Sequence, residues 1–167
     1  MELKYIEELN SLINDFIRPC GCKAEVDTDF AYYPNEKVVT WSPFMMDKAD
    51  RYFNEYVKSQ YTDIEADIFL WSLLHEVGHH MTYNTWSDEL LEEFEKTKKY
   101  AANILKEKNL TARREKVSYF MYFSTRDEEC ATQWAAKYME SHPERVLAFW
   151  NKFIEGYEVF LSLNNVR

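Results

Sequence analysis

The chain has 167 residues, of which 46% are hydrophobic and 17% aromatic, so it is long and apolar enough for one domain with a sizeable core. Its net charge of -9 argues against a nucleic-acid-binding surface, and no apolar run approaches the length that a bilayer requires. The N-terminal stretch is acidic and does not resemble a signal peptide, and the odd count of three cysteines favours reduced thiols, so we expect a cytoplasmic protein. We expect a single domain, residues 1–167, without a nucleic-acid or membrane partner.

The first quarter of the chain is predicted to form a helix and a small sheet. Apolar residues at helical spacing predict a helix from Leu3 to Ile17. Alternating apolar and polar residues predict a strand at 23–30, a turn follows at 31–36, and the β-forming residues from Lys37 to Trp41 predict a second strand. We therefore expect a hairpin or a small antiparallel sheet near residues 23–41, with the second strand at an exposed edge.

Helical periodicity dominates the middle of the chain. A helix is predicted from Asp47 to about Tyr61. Thr62 and Glu65 have the spacing of a capping box, so the next helix is predicted to begin there and to run to about Thr82. Its apolar residues at helical spacing indicate that this helix lies in the core.

The C-terminal half is also predicted to be helical. Ser87 is expected to cap a helix that ends near Lys108, and the charged run from Glu92 to Lys99 is predicted to be its solvated face. Further helices are predicted at 111–123, 125–140 and 143–163, although residues 117–123 could equally be a strand. The predicted fold class is therefore α+β, mostly helical with one small sheet.

The predicted core helix that ends near Thr82 carries the motif His75-Glu76-Val77-Gly78-His79. Residues four apart share a helix face, so His75 and His79 can direct two imidazoles at one metal ion. Glu76 lies roughly 100° around the helix, where it is badly placed as a ligand but well placed to take a proton from a metal-bound water. This division of labour is typical of zinc peptidases. Gly78 costs about 1 kcal/mol against alanine in mid-helix, which indicates that another backbone packs closely there.

A catalytic zinc ion usually has three protein ligands, and the spacing leaves the third open. Glu128 and Glu129 lie in the first turn of the helix predicted at 125–140, and His142 is the last of four histidines. Glu128 has a competing structural role, because it follows Thr125 at the spacing of a capping box. The candidates for the third ligand are therefore Glu128, Glu129 and His142.

Taken together, the motif from His75 to His79 and the segment from Glu128 to Ala136 resemble the ImmA/IrrE-type metallopeptidases. That family combines H-E-L-G-H with a later helix of the form E-x-x-A-N-x-F-A-x-x-L-L. The matching positions of the later helix are Glu128, Ala131, Trp134 and Ala135. Thr132 stands where the family has the Asn or Asp that braces a ligand. The resemblance implies a zincin-like fold and a Zn²⁺ ion held by His75, His79 and Glu128.

The predicted function is zinc-dependent hydrolysis of a protein or peptide substrate, with Glu76 as the catalytic base. The resemblance implies an intracellular substrate, such as a transcriptional regulator, which would bind extended along the strand from Lys37 to Trp41. The candidate donors to the oxyanion are Tyr83, Tyr119, Tyr122 and His142. The alternative function is that of a catalytically silent zinc-binding protein that binds a partner through its aromatic C-terminal helix.

Overall fold

The computed structural model describes residues 2–44 and 47–164, which contain seven α-helices and three β-strands. The helices are α1 (Glu2–Ile17), α2 (Lys48–Gln60), α3 (Ile68–Thr82), α4 (Asp88–Ile104), α5 (Ala112–Phe123), α6 (Arg126–Ser141) and α7 (Pro143–Leu163). The strands are β1 (Lys23–Val26), β2 (Ala31–Tyr33) and β3 (Val38–Trp41). The predicted α+β class, mostly helical with a small sheet, is confirmed. None of the described helices has both the length and the apolar character that a bilayer crossing requires.

The described residues divide into two compact units. Unit 1 is drawn from Met1–Phe44 and Lys137–Arg167, and unit 2 is drawn from Met45–Ala136. Unit 1 therefore contains α1, the three strands and α7, whereas unit 2 contains α2 to α5. The first turns of α6, which carry Glu128, belong to unit 2.

Aromatic side chains of α7 form much of the core of unit 1. Phe149 stacks on Phe16 of α1, with 4.1 Å between the ring centroids. Phe153 is fully buried and meets Trp41 of β3 edge-on. The aromatic stripe that the sequence shows in its C-terminal helix is therefore packed inside this unit, where its burial stabilises the fold.

The sheet is mixed, with the strand order β1-β3-β2. β3 pairs in parallel with β1 and antiparallel with β2. The predicted antiparallel sheet is therefore wrong for β1, and the prediction that Lys37 to Trp41 forms an edge is also wrong, because β3 is the central strand. Its backbone groups are engaged on both sides and cannot receive an extended peptide.

The first strand is shorter than predicted because polar side chains bend the chain after it. The Asp27 carboxylate accepts from the Thr28 N–H at 2.7 Å, and the Thr28 hydroxyl donates to Asp29 at 2.8 Å. Such local bonds compete with strand pairing. The residues predicted as the start of a turn, Ala31–Tyr33, then form β2.

Asn14 of α1 covers the outer edge of β1. Its side-chain amide donates to the Ala24 carbonyl and accepts from the Ala24 N–H, both at 2.9 Å. Ala24 is buried, so these backbone groups need partners. The amide supplies both bonds as a neighbouring strand would, and it ties α1 to the sheet.

Unit 2 contains the helix that carries the metal-binding motif. α3 begins at Ile68, where Asp67 accepts from the Phe69 N–H at 2.8 Å. The predicted capping box of Thr62 and Glu65 is therefore wrong, because the acidic residue next to the helix provides the cap. Most residues of α3 are buried, as expected for a core helix.

Two caps fix the start of the next helices. Ser87 caps α4 as predicted, by accepting from the Leu90 N–H. Thr111 caps α5 in the same way, so the segment that could have been a strand is a helix.

Candidate metal centre

Three side chains from α3 and α6 converge within unit 2. Glu128 Oε2 lies 2.9 Å from His75 Nε2 and 3.3 Å from His79 Nε2. The two imidazole nitrogens are 3.1 Å apart. Among the residues that the structure describes, these three form the one group of histidine, cysteine or acidic side chains arranged to hold a metal ion. The structure thus brings together His75, His79 and Glu128, as predicted for the metal ligands.

The close approach of α3 and α6 depends on Gly78. A Cβ atom at this position would meet the Ala131 carbonyl oxygen and would lie 2.9 Å from the Ala131 Cα. A side chain would therefore push the two backbones apart. The predicted close packing at Gly78 is confirmed, and it brings Glu128, three residues before Ala131, to the histidines.

Thr132 determines which nitrogen of His75 faces the other donors. The Thr132 hydroxyl donates to the Glu128 carbonyl at 3.0 Å, so its oxygen accepts from His75 Nδ1–H, also at 3.0 Å. With Nδ1–H bonded to Thr132, Nε2 is the His75 nitrogen that faces Glu128 Oε2 and that is able to bind a metal ion. Phe53 packs edge-on against the His75 ring, with 5.1 Å between centroids. The imidazole is thus held in the tautomer and orientation that metal binding requires.

The three donor atoms fit a zinc ion in both chemistry and spacing. Two imidazole nitrogens and one carboxylate oxygen are a donor set of catalytic zinc sites. With metal–ligand bonds of about 2.0–2.1 Å in a tetrahedron, ligand atoms lie roughly 3.3 Å apart. The observed separations of 2.9, 3.1 and 3.3 Å need only small outward shifts to admit the ion. The arrangement is thus able to hold a metal ion through three ligands.

A buried lysine, which the sequence analysis missed, contacts the far side of the candidate ligand Glu128. Lys98 Nζ of α4 lies 3.0 Å from Glu128 Oε1 and 2.7 Å from Asp127 Oδ2. Only 8% of Lys98 is exposed. The prediction that residues 92–99 form a solvated face is therefore wrong at Lys98.

The helical spacing around Lys98 contained a signal for this burial. Lys98 lies four residues after Phe94 and three before Ala101, and both of these are buried. Positions with that spacing share a helix face, so Lys98 belongs to the apolar stripe of α4. A lysine in such a stripe requires a buried partner, which α6 supplies.

The charges of the site stabilise one another. Burial favours the neutral form of Glu128, but His79 and His75 hold the pKa of its carboxyl well below the usual range. Burial likewise opposes a charge on His79, yet Glu128 raises the pKa of His79 to about 9 in the metal-free protein. Glu128 and Asp127 raise the pKa of Lys98 against the effect of its burial. Glu128 is therefore an anionic candidate ligand, and the positive charge of Lys98 lies beside its other oxygen.

Glu76, the predicted base, is half-buried on α3 directly after His75. Burial raises the pKa of Glu76, and the nearby charges of His75 and His79 oppose this rise. A carboxyl with a raised pKa suits a group that takes up and releases a proton near neutrality. Its catalytic role stays a prediction.

The other two candidates for the third ligand lie outside the metal-binding group. Glu129 follows Glu128 on α6 but is exposed. His142 is exposed in unit 1, where its ring stacks on Tyr138 with 4.5 Å between centroids. The structure also leaves no capping role for the Glu128 side chain, because its two oxygens face His75 and Lys98.

Of the predicted oxyanion donors, Tyr122 lies beside this site. Its ring centroid is 5.7 Å from Lys98 Nζ. Burial raises the pKa of Tyr122, and the charge of Glu128 adds to this rise. Tyr83 is exposed after α3, and Tyr119 stacks on Tyr52 at 4.8 Å.

No family model matches the chain, and neither a curated protein nor a solved structure matches it. The zincin-like fold and the resemblance to the ImmA/IrrE-type metallopeptidases therefore stay predictions from two motifs. The chemistry of the site rests on the geometry of His75, His79 and Glu128.

Proposed function

We propose that this chain is a zinc-dependent peptidase. The observation that carries the proposal is the convergence of His75, His79 and Glu128 directly beside Glu76. A structural zinc ion would need a fourth protein ligand and no base, whereas three ligands and a neighbouring carboxylate suit hydrolysis.

The residues of the site divide the chemistry between them. A bound zinc ion would supply a water of lowered pKa and would polarise the scissile carbonyl. Glu76 accepts a proton from the attacking water and passes it to the leaving amine. A tyrosine hydroxyl is protonated at neutral pH, and burial raises the pKa of Tyr122 further, so its hydroxyl is able to donate to the carbonyl oxygen as negative charge develops there.

The substrate that we propose is an intracellular protein, such as a transcriptional regulator, and the compartment is the cytoplasm. This part follows from the resemblance to the ImmA/IrrE-type metallopeptidases. The free thiols of Cys20 and Cys22 agree with a reducing compartment. Extended binding of the substrate along β3 is excluded, since that strand is paired on both sides.

The experiment is a peptide-library digestion with zinc-loaded protein. The wild type and a Glu76→Gln variant are incubated with pooled unmodified peptides, and new termini are identified by mass spectrometry. We expect cleavage by the wild type, its loss on addition of a chelator, and its loss in Glu76→Gln with zinc content unchanged. A Tyr122→Phe variant should keep its zinc and lose about 100-fold in kcat.

The control outcomes separate the metal centre from the activity. A wild type that takes up no zinc overturns the metal centre. A wild type that binds zinc and cleaves no peptide favours the alternative function, that of a catalytically silent zinc-binding protein.

The contacts of α7 argue against that alternative. Phe149, Phe153 and Phe160 are buried within unit 1 and do not offer an aromatic surface to a partner.

A further inference from the structure

We propose that Lys98 is a positioning residue that holds Glu128 to a single metal-coordinating oxygen and thereby sets the metal preference of the site. The proposal rests on the proposed metal centre but assigns a role to a residue outside the ligand set. It predicts four-coordinate binding through three ligands and one water.

The two oxygens of Glu128 face opposite ways. Oε2 lies 2.9 Å from His75 Nε2, whereas Oε1 lies 3.0 Å from Lys98 Nζ. His75 and Lys98 are both buried, so water does not compete with either of these two contacts. For Glu128 to bind a metal through both oxygens, Oε1 would have to leave a charge-assisted hydrogen bond in a site with little solvent.

Lys98 is itself fixed in place by several partners. Its ammonium group has three donors, and three carboxylates lie within reach of it. Asp127 is at 2.7 Å, Glu128 at 3.0 Å and Glu95 at 3.2 Å. A lysine held from these sides cannot follow Glu128 if the carboxylate rotates towards the metal.

The number of carboxylate oxygens that bind decides which ion fits. Two imidazoles, one oxygen and one water make a tetrahedron, which suits zinc. A second oxygen would raise the coordination number and make the site richer in oxygen, which favours ions such as Mn²⁺. By holding Oε1 in a hydrogen bond and so keeping it off the metal, Lys98 therefore favours zinc over manganese.

The test compares the wild type with the double variant Lys98→Met/Asp127→Asn. This pair of substitutions removes one positive and one negative charge together, so the net charge of the buried cluster is unchanged while Glu128 Oε1 loses its contact with Lys98. Affinities for Zn²⁺ and Mn²⁺ are measured by competition with a chromophoric chelator. Because both ions are divalent, the lost lysine charge affects them alike and cancels in the ratio of the two affinities. We expect this ratio to fall by about tenfold.

Cobalt substitution reports the coordination number. Four-coordinate Co²⁺ absorbs visible light more strongly than five-coordinate Co²⁺, so the double variant should absorb less than the wild type. The matched control is Lys116→Met/Glu55→Gln, which removes an exposed ion pair of 2.8 Å from the same unit. The control should keep both the wild-type spectrum and the wild-type affinity ratio.

A crystal structure of the zinc-loaded wild type tests the proposal without any variant. We expect Oε2 on the metal and Oε1 within hydrogen-bond distance of Lys98. Zinc bound by both oxygens of Glu128, or a folded double variant with an unchanged spectrum and affinity ratio, overturns the role of Lys98 and leaves the peptidase proposal intact. Absence of zinc from the wild type overturns both.

Discussion

Thr132 Oγ1 on α6 lies 3.0 Å from His75 Nδ1 on α3 and determines the tautomer of that histidine. The hydroxyl is able to accept from Nδ1–H because its own proton goes to the Glu128 carbonyl, four residues earlier on α6. One threonine thus connects the backbone of one candidate ligand to the ring of another.

Replacement of Thr132 by valine should weaken metal binding. Valine keeps the volume of the buried side chain but loses the acceptor, so His75 is free to rotate and to change tautomer. We expect zinc affinity to fall about 10–100-fold, as is usual for the loss of an outer partner of a ligand histidine. The measurement is chelator competition with Thr132→Val, and Thr132→Ser, which keeps the hydroxyl, should bind within a few-fold of the wild type. Equal zinc affinity in Thr132→Val and the wild type would show that Thr132 does not support metal binding.

Substitution of Gly78 by alanine should destabilise the protein although alanine is the better helix former. Helix propensity favours alanine by about 1 kcal/mol, but the new Cβ would meet the Ala131 backbone, which cannot move aside like a side chain. We expect a net loss of about 1–3 kcal/mol in the free energy of unfolding, measured with urea.

Gly156 of α7 provides the matched control for Gly78→Ala. A Cβ there would lie 3.2 Å from the flexible Leu9 side chain, which is able to yield. Gly156→Ala should therefore cost less than Gly78→Ala. A reversed order of the two stabilities would show that α3 and α6 do not touch at Gly78.

Removal of the Asn14 amide should weaken unit 1. An Asn14→Ala variant leaves the N–H and the carbonyl of Ala24 without their partner at the outer edge of β1. We expect a loss of about 2 kcal/mol in the free energy of unfolding and faster hydrogen exchange of the Ala24 amide. An Asn14→Asp variant keeps the acceptor but not the donor, so its free energy of unfolding should lie between those of the wild type and Asn14→Ala. Unchanged exchange at Ala24 in Asn14→Ala would contradict the role of the amide.

The parts of the structure that the sequence predicted are those with local causes. Helical periodicity extends over a dozen residues or more in α1, α2 and α7, and their predicted bounds agree with the structure within one or two residues. His75 and His79 lie on the same side of α3 because residues four apart share a helix face.

The parts that were missed depend on contacts distant in the chain. The parallel pairing of β1 with β3 is not encoded in the alternation of either strand, because alternation fixes which face is buried but not which neighbour is chosen. The burial of Lys98 arises from Asp127 and Glu128, about thirty residues later, and a run of charges by itself resembles a solvated face. The chemistry of the residues alone left Glu128, Glu129 and His142 open as the third ligand; only the family resemblance pointed to Glu128, which the packing of α6 on α3 brings to the histidines.

The metal-free protein should lose stability as the pH rises from 6.5 to 9. Glu128 raises the pKa of His79 from 6.5 to about 9 despite the opposing effect of burial. A group whose pKa is higher in the folded state contributes stability that is complete below its unfolded pKa and is lost as the pH rises through its folded pKa. The expected decrease in the free energy of unfolding is about 3 kcal/mol, measured by urea titration in the presence of a chelator.

Two variants isolate this effect. His79→Gln, which cannot bind the proton, should show little change over the same pH range, whereas His142→Gln, which alters an exposed histidine of unit 1, should keep the wild-type slope. Saturating zinc should abolish the slope in the wild type, because coordination requires neutral imidazole and the bound ion replaces the proton. A slope of the same size in His79→Gln would assign the titration to another group and would separate it from the candidate metal centre.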